Sequence, residues 1–281
     1  MTQTSIVLLV LFSALMHATW NAFLHASPDR LWQVGMMAVP QLVVAAVAAC
    51  WLPLPAPSAW PLVILSAIAQ VGYTASLIRA YRAGDFGQIY PIARGISPAL
   101  IALAALVLAG ERPGWLAAAA IVLICVGILS LALRGRHFSV DSVPAALMTG
   151  VFIAAYTIID GFGVRTSGNG FAYIAWVYLA ASVPLVGTVY LRRGGLRGMF
   201  LAPPRRVAEA IGAGIVALTA YGMVVFALQF LPMGVVSALR ESSAIFAVVL
   251  GWLFLREPLT PRRVVSGLLV VAGAMLIKLG G

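Results

Sequence analysis

Apolar residues run along this chain in continuous blocks, parted by short polar or proline-rich breaks. Each block approaches the roughly 20 residues that an α-helix needs to cross a bilayer. The pattern predicts ten spans: Ser5 to Ala26, Leu31 to Leu52, Ala59 to Ala80, Phe86 to Ala109, Gly114 to Leu133, Val143 to Phe162, Gly170 to Leu191, Val207 to Phe230, Met233 to Leu255 and Pro261 to Leu279. The breaks carry turn chemistry, as in Ser27-Pro28-Asp29, Pro53-Leu54-Pro55, Ser167-Gly168-Asn169 and Pro203-Pro204. Hydrocarbon offers no water to backbone amides, so spanning segments are helices or closed barrels. Blocks that do not alternate exclude the barrel. The longest loop, Arg192 to Arg206, is short and basic.

The blocks repeat. Arg94, Glu111 and Gly127 return as Arg240, Glu257 and Gly273, each 146 positions later. Tyr73 matches Tyr221 if one loop is two residues shorter, and His17 and Asn21 match Tyr156 and Asp160. The halves are residues 1–139 and 140–281, five spans each. An odd number sends the second copy into the membrane in the opposite sense. The expected fold class is therefore all-α: an integral membrane protein of ten transmembrane helices in two inverted five-helix repeats. Such repeats are typical of secondary transporters, whose site lies at the repeat interface near the midplane.

Composition agrees. Hydrophobic residues make up 62% of the 281 and charged residues only 9%, against roughly a quarter charged in a soluble domain. The net charge of +10 reads as basic residues at helix ends rather than as a nucleic-acid surface. The loops after the odd-numbered spans hold 13 Lys and Arg, and the other side holds three. The positive-inside rule then puts both termini outside the cytoplasm. Met1 to Ser5 lacks Lys and Arg and the first block runs long, so no cleaved leader is expected. Cys50 and Cys125 lack metal-ligand spacing, and neither a metal nor a cofactor is expected.

Few residues remain to carry chemistry. Arg94 stands about 12 Å into its helix at 1.5 Å per residue. Pro91 and Pro98 flank it, and each removes a backbone donor. A broken helix with a cation at mid-depth suits an anion site; the alternative is an ion pair with Glu241 that holds helices together. Arg240 has matching depth, with Glu241 beside it. Ser97 and Ser243 match across the repeat and are candidate substrate contacts, although membrane serines often bond to neighbouring backbone.

His17 and Asn21 share a helix face with Trp20 nearby, and His17 can titrate near neutrality. Tyr156 and Asp160 stand four apart on the sixth helix, with Asp160 about one turn from its end and within reach of water. His17, Asp160 and Glu241 are the proton-coupling candidates. Gln70, Tyr73, Tyr90 and Tyr221 are candidate cavity lining. Glu111 and Glu257 read as turn architecture, and Gly127, Gly267 and Gly273 as close helix packing.

These features also resemble a known group. The duplication, the Gly110-Glu111-Arg112-Pro113 and Arg256-Glu257-Pro258 turns and the glycine-bearing helix after each resemble the ten-span EamA-like branch of the drug/metabolite transporter superfamily. The run from His17 to Ala22 and that from Tyr156 to Gly161 resemble a metabolite-carrier subgroup linked with phosphonate utilisation. The resemblance implies a basket of ten helices with a cavity lined by helices 1, 3, 4, 6, 8 and 9, and export or exchange of amino-acid-like metabolites. It implies termini in the cytoplasm, against the charge count. Small multidrug relatives use a glutamate in the first helix; this chain has none there.

The sequence thus points to a secondary transporter in a cell membrane, with a bacterial inner membrane expected. Its partners would be an anionic or zwitterionic small molecule and the lipid bilayer, with the duplicated chain acting as a monomer. A passive channel or scaffold is the alternative. An intramembrane enzyme needs a nucleophile–base pair or metal cluster, and the three histidines, 17, 25 and 137, form none in sequence.

Overall fold

The computed structural model describes residues 2–83, 86–112, 114–132, 143–246, 249 and 260–279; Trp252, Glu257 and the side chain of Tyr90 fall outside the described residues. Its long helices are α1 (Gln3–Ala26), α2 (Arg30–Trp51), α3 (Trp60–Ala83), α4 (Phe86–Ala109), α5 (Trp115–Ala132), α6 (Val143–Thr166), α7 (Gly170–Arg192) and α9 (Pro204–Ala227), with α11 (Pro261–Leu279) last. Two short ones, α8 (Leu196–Met199) and α10 (Met233–Arg240), lie between them. The starts follow local chemistry. Asp29 accepts from the Trp32 amide at 3.0 Å and Asn169 from the Ala172 amide at 3.0 Å, each filling a donor that the first turn leaves open. Gly110 and Gly168 take φ of +64° and +73° in the connections after α4 and α6, a region nearly free of strain only for glycine.

Seven of these helices are long and apolar enough to cross a membrane. Phe12, Ile68, Leu103 and Val126 stand outward at 53%, 61%, 59% and 54% exposure. An apolar belt of that extent fits lipid rather than water.

Packing follows a simple rule. The close partners include α3 with α6, α1 with α9, α4 with α6, α1 with α10, α2 with α7, and α5 with α11. Exchange the helices of one sequence half for their counterparts in the other, and each pair maps onto another pair or onto itself. The α5–α11 contact carries this to single atoms. A Cβ on Gly127 would meet Val270 and the Ser266 carbonyl; one on Gly273 would meet Ile124 and the Ala120 carbonyl. Residues 120 and 124 are 146 positions before 266 and 270. The Ser266 hydroxyl also donates to the Gly127 carbonyl at 2.7 Å.

Four expectations need correction. Helix α6 continues to Thr166 rather than ending at Phe162, so Asp160 lies more than a turn inside it and is 0% exposed; it does not reach water. The helix around Arg94 is unbroken from Phe86 to Ala109 despite two prolines. Pro98 has no N–H for the Arg94 carbonyl four residues back, and the Ser97 hydroxyl donates to that carbonyl instead, at 3.0 Å. The break falls after Arg240 instead. After Arg240 the backbone tightens, with the Glu241 and Ser242 amides bonding three residues back to Ala238 and Leu239. The helix predicted from Met233 to Leu255 is therefore interrupted at Glu241–Ser242. The basic loop from 192 to 206 also holds a helical turn, α8, whose Met199 carbonyl accepts from the Trp32 indole at 2.8 Å.

Candidate functional site

A cavity of about 140 Å³ opens among α1, α2, α3, α6, α7, α9 and α10. It reaches from Arg240 and Tyr156 to Arg30 in the first turn of α2, on the side bearing the arginine-rich loops. Helices α2 and α7 join the set expected from the resemblance, and no described residue of α4 lines the space.

The wall is aromatic. Tyr156 sits between Tyr73 and Tyr221 with centroids 5.8 Å and 5.6 Å away, both edge-on. The two tyrosines matched by the repeat thus flank one ring. Tyr178 of α7 meets Tyr221 at 6.2 Å. On α1, His17 packs edge-on to Trp20 at 4.9 Å, and both line the cavity. Asn21 does not line it; its amide donates to the His17 carbonyl one turn back, at 2.9 Å.

The paired arginines have separate surroundings. The Arg94 guanidinium meets Glu241 through Nε at 3.1 Å and Nη2 at 3.0 Å, and donates from Nη2 to the Ser243 hydroxyl at 3.3 Å. Both charged side chains are nearly sealed, at 4% and 3% exposure. Arg94, Glu241, Ser97 and Ser243 are not among the lining residues. Arg240 is. Its guanidinium carbon lies 5.4 Å from the centre of the Tyr221 ring, a cation–π distance. Among the described residues no carboxylate stands within ion-pair reach of it.

Asp160 is buried behind this wall. Tyr173 donates to its Oδ1 at 2.9 Å, and Tyr221 donates to Oδ2. Gly163 makes the first contact feasible, because a Cβ there would overlap the Tyr173 ring. Tyr221 therefore joins several neighbours: its ring meets Arg240, its hydroxyl donates to Asp160, and it lines the cavity beside Tyr156 and Tyr178.

Opposite the Arg30 end, Glu111 ties three connections together. Its Oε1 pairs with Arg165 at 2.5 Å and its Oε2 accepts from the Met233 amide at 2.8 Å. Arg165 also donates to the Leu228 and Leu231 carbonyls at 2.9 Å and 3.3 Å.

Tyr178, Tyr173 and Arg165 were not among the residues singled out from sequence. The two tyrosines sit in an α7 segment without a charge or a repeat match to mark them, and Arg165 looks in sequence like any basic residue at a helix end.

With this geometry in place, likeness to known proteins is informative. Residues 142–279 match the EamA-like transporter family. These residues form an EamA-like transporter domain. That family is one of transporters within the drug/metabolite transporter superfamily, and with the apolar helices it makes this a multi-pass membrane protein. A solved crystal structure of a protein superimposes with a TM-score of 0.74 at 17% identity, over 99% of this chain and 98% of that one; at that identity the likeness speaks for the fold. No curated protein matches the chain.

Proposed function

We propose that this EamA-domain protein is a secondary transporter that moves a small polar metabolite, anionic or zwitterionic and amino-acid-like, by alternating access, for export or exchange. One observation carries the reading: Arg240 is buried on the wall of a cavity among the helices and has no ion-pair partner among the described residues. An ionised side chain at membrane depth is costly and marks a substrate or ion path when no structural pair accounts for it. The Arg94–Glu241 pair is accounted for, so the anion contact is assigned to Arg240. His17, Trp20, Tyr73, Tyr156 and Tyr221 take the rest of the solute, and Asp160 is the proton carrier that meets it through Tyr221.

The interchanging helix partners and the reciprocal Gly127 and Gly273 contacts support a duplicated fold whose halves rock against each other. The Glu111–Arg165 tie closes the end away from Arg30, as an occluding layer would. The charge count puts the open end on the cytoplasmic side.

The test is counterflow in proteoliposomes loaded with candidate solutes. Saturable exchange that Arg240→Gln abolishes is the expected result. Flux without saturation or counterflow would make the protein a channel, and absence of flux for every solute would leave a scaffold.

A further inference from the structure

We infer that the cavity selects an organic anion with a flat apolar body over a zwitterion or an amine, with Arg240 as the anchor for its acidic group. The inference rests on the transport reading above and narrows its substrate class. The lining is rich in donors and holds no carboxylate among its described residues. Arg240 presents its charge there. Tyr156 and Tyr178 present phenols whose hydroxyls bond to no described protein group, and the hydroxyl of a tyrosine normally finds a partner when buried.

The two buried carboxylates among the described residues, Glu241 and Asp160, are both engaged and both outside the cavity lining. Glu241 takes Arg94 on its two oxygens. Asp160 takes Tyr173 and Tyr221 on its two oxygens. An ammonium entering this space meets positive charge at Arg240 and no anion to pair with. A site whose charged group has the wrong sign rejects a ligand strongly, because desolvation is then uncompensated. The rings of Trp20, Tyr73 and Tyr156 along the lining instead suit a planar body, since offset and edge-on aromatic contacts are favourable.

The experiment compares three probes that share one body and differ in charge: phenylacetate, phenylalanine and phenethylamine. Binding to the purified full-length protein is read from quenching of tryptophan fluorescence, with Trp20 on the cavity wall, and from the thermal shift on saturation. Movement is read by counterflow of radiolabelled phenylacetate. The expected order is phenylacetate at least tenfold tighter than phenylalanine, with phenethylamine weaker still. Arg240→Gln loses at least tenfold for phenylacetate and narrows its gap to phenethylamine, while Arg240→Lys keeps the order. If Arg240→Gln does not yield a folded protein by size exclusion and melting, the wild-type order and Tyr178→Phe, expected to weaken phenylacetate alone, decide.

Phenylalanine or phenethylamine binding as tightly as phenylacetate overturns the inference, as does binding of none of the three. Phenylacetate that binds in this order but is not exchanged upholds the selectivity and overturns the transport reading.

Discussion

Tyr221 donates its hydroxyl hydrogen to Asp160, and so joins the wall of the cavity to a carboxylate that the cavity does not reach. Its ring meanwhile lies against the Arg240 guanidinium. A shift of this one side chain changes the surroundings of both charges, which is the physical requirement for coupling a solute to a proton.

Tyr221→Phe separates the two duties. The ring stays against Arg240, and the bond to Asp160 is lost. Solute affinity is expected to change less than about threefold, whereas uptake driven by a pH gradient falls to the level seen without one. A buried acceptor stripped of one partner costs about 1–3 kcal/mol, visible as a lower Tm. Unchanged gradient-driven uptake in a folded Tyr221→Phe protein would remove Asp160 and Tyr221 from coupling.

Removing Arg94 strips the buried Glu241 of the guanidinium that meets both of its oxygens. Arg94→Ala is expected to lose about 3–5 kcal/mol of stability. The double variant Arg94→Met with Glu241→Leu recovers most of that, since an apolar pair of similar volume avoids the desolvation cost. The check is a double-mutant cycle on thermal unfolding in one detergent, and additive losses would mean that the two side chains do not act as a pair.

The Glu111–Arg165 tie is partly exposed, with side chains at 15% and 32%. A bridge of this kind contributes on the order of 1 kcal/mol or less. Arg165→Ala is accordingly expected to raise the open population at that end about fivefold at most. Maleimide labelling of a single cysteine placed at Ser237, at 2% exposure on α10, reports the change. Equal labelling rates with and without Arg165 would show that the tie does not hold this end shut.

Gly163→Val places a side chain where the Tyr173 ring now lies. Overpacking of a fitted contact costs about 1–3 kcal/mol. It should also shift Tyr173 from Asp160, so the pH profile of transport moves as well as the Tm. A lower Tm with an unmoved profile would limit Gly163 to packing.

Much of this was legible in the chain. Continuous apolar blocks set the helix positions, and α4 and α11 begin and end where the pattern puts them. The Arg94–Glu241 pair could be anticipated from equal depth in the two halves. The helix break could not. Pro91 and Pro98 mark α4 as the copy to break, but Ser97 satisfies the carbonyl freed by Pro98, and the bend moves to Glu241–Ser242, where no proline stands. Asp160 was set too close to an end because Gly161-Phe162-Gly163 reads as a stop. In the fold those glycines instead admit Met233 and Tyr173 against α6. A side-chain bond inside α4 decides the first case and contacts between distant helices the second, and an apolar pattern records neither.

The reciprocal contact of Gly127 and Gly273 has one more consequence. A surface on which residue 120 meets 273 while 127 meets 266 is its own complement, the arrangement found where two identical subunits meet across a twofold axis. Within one chain the two sides need not stay alike. One arginine of the pair can then settle into the scaffold against Glu241, while the other stays turned toward the cavity.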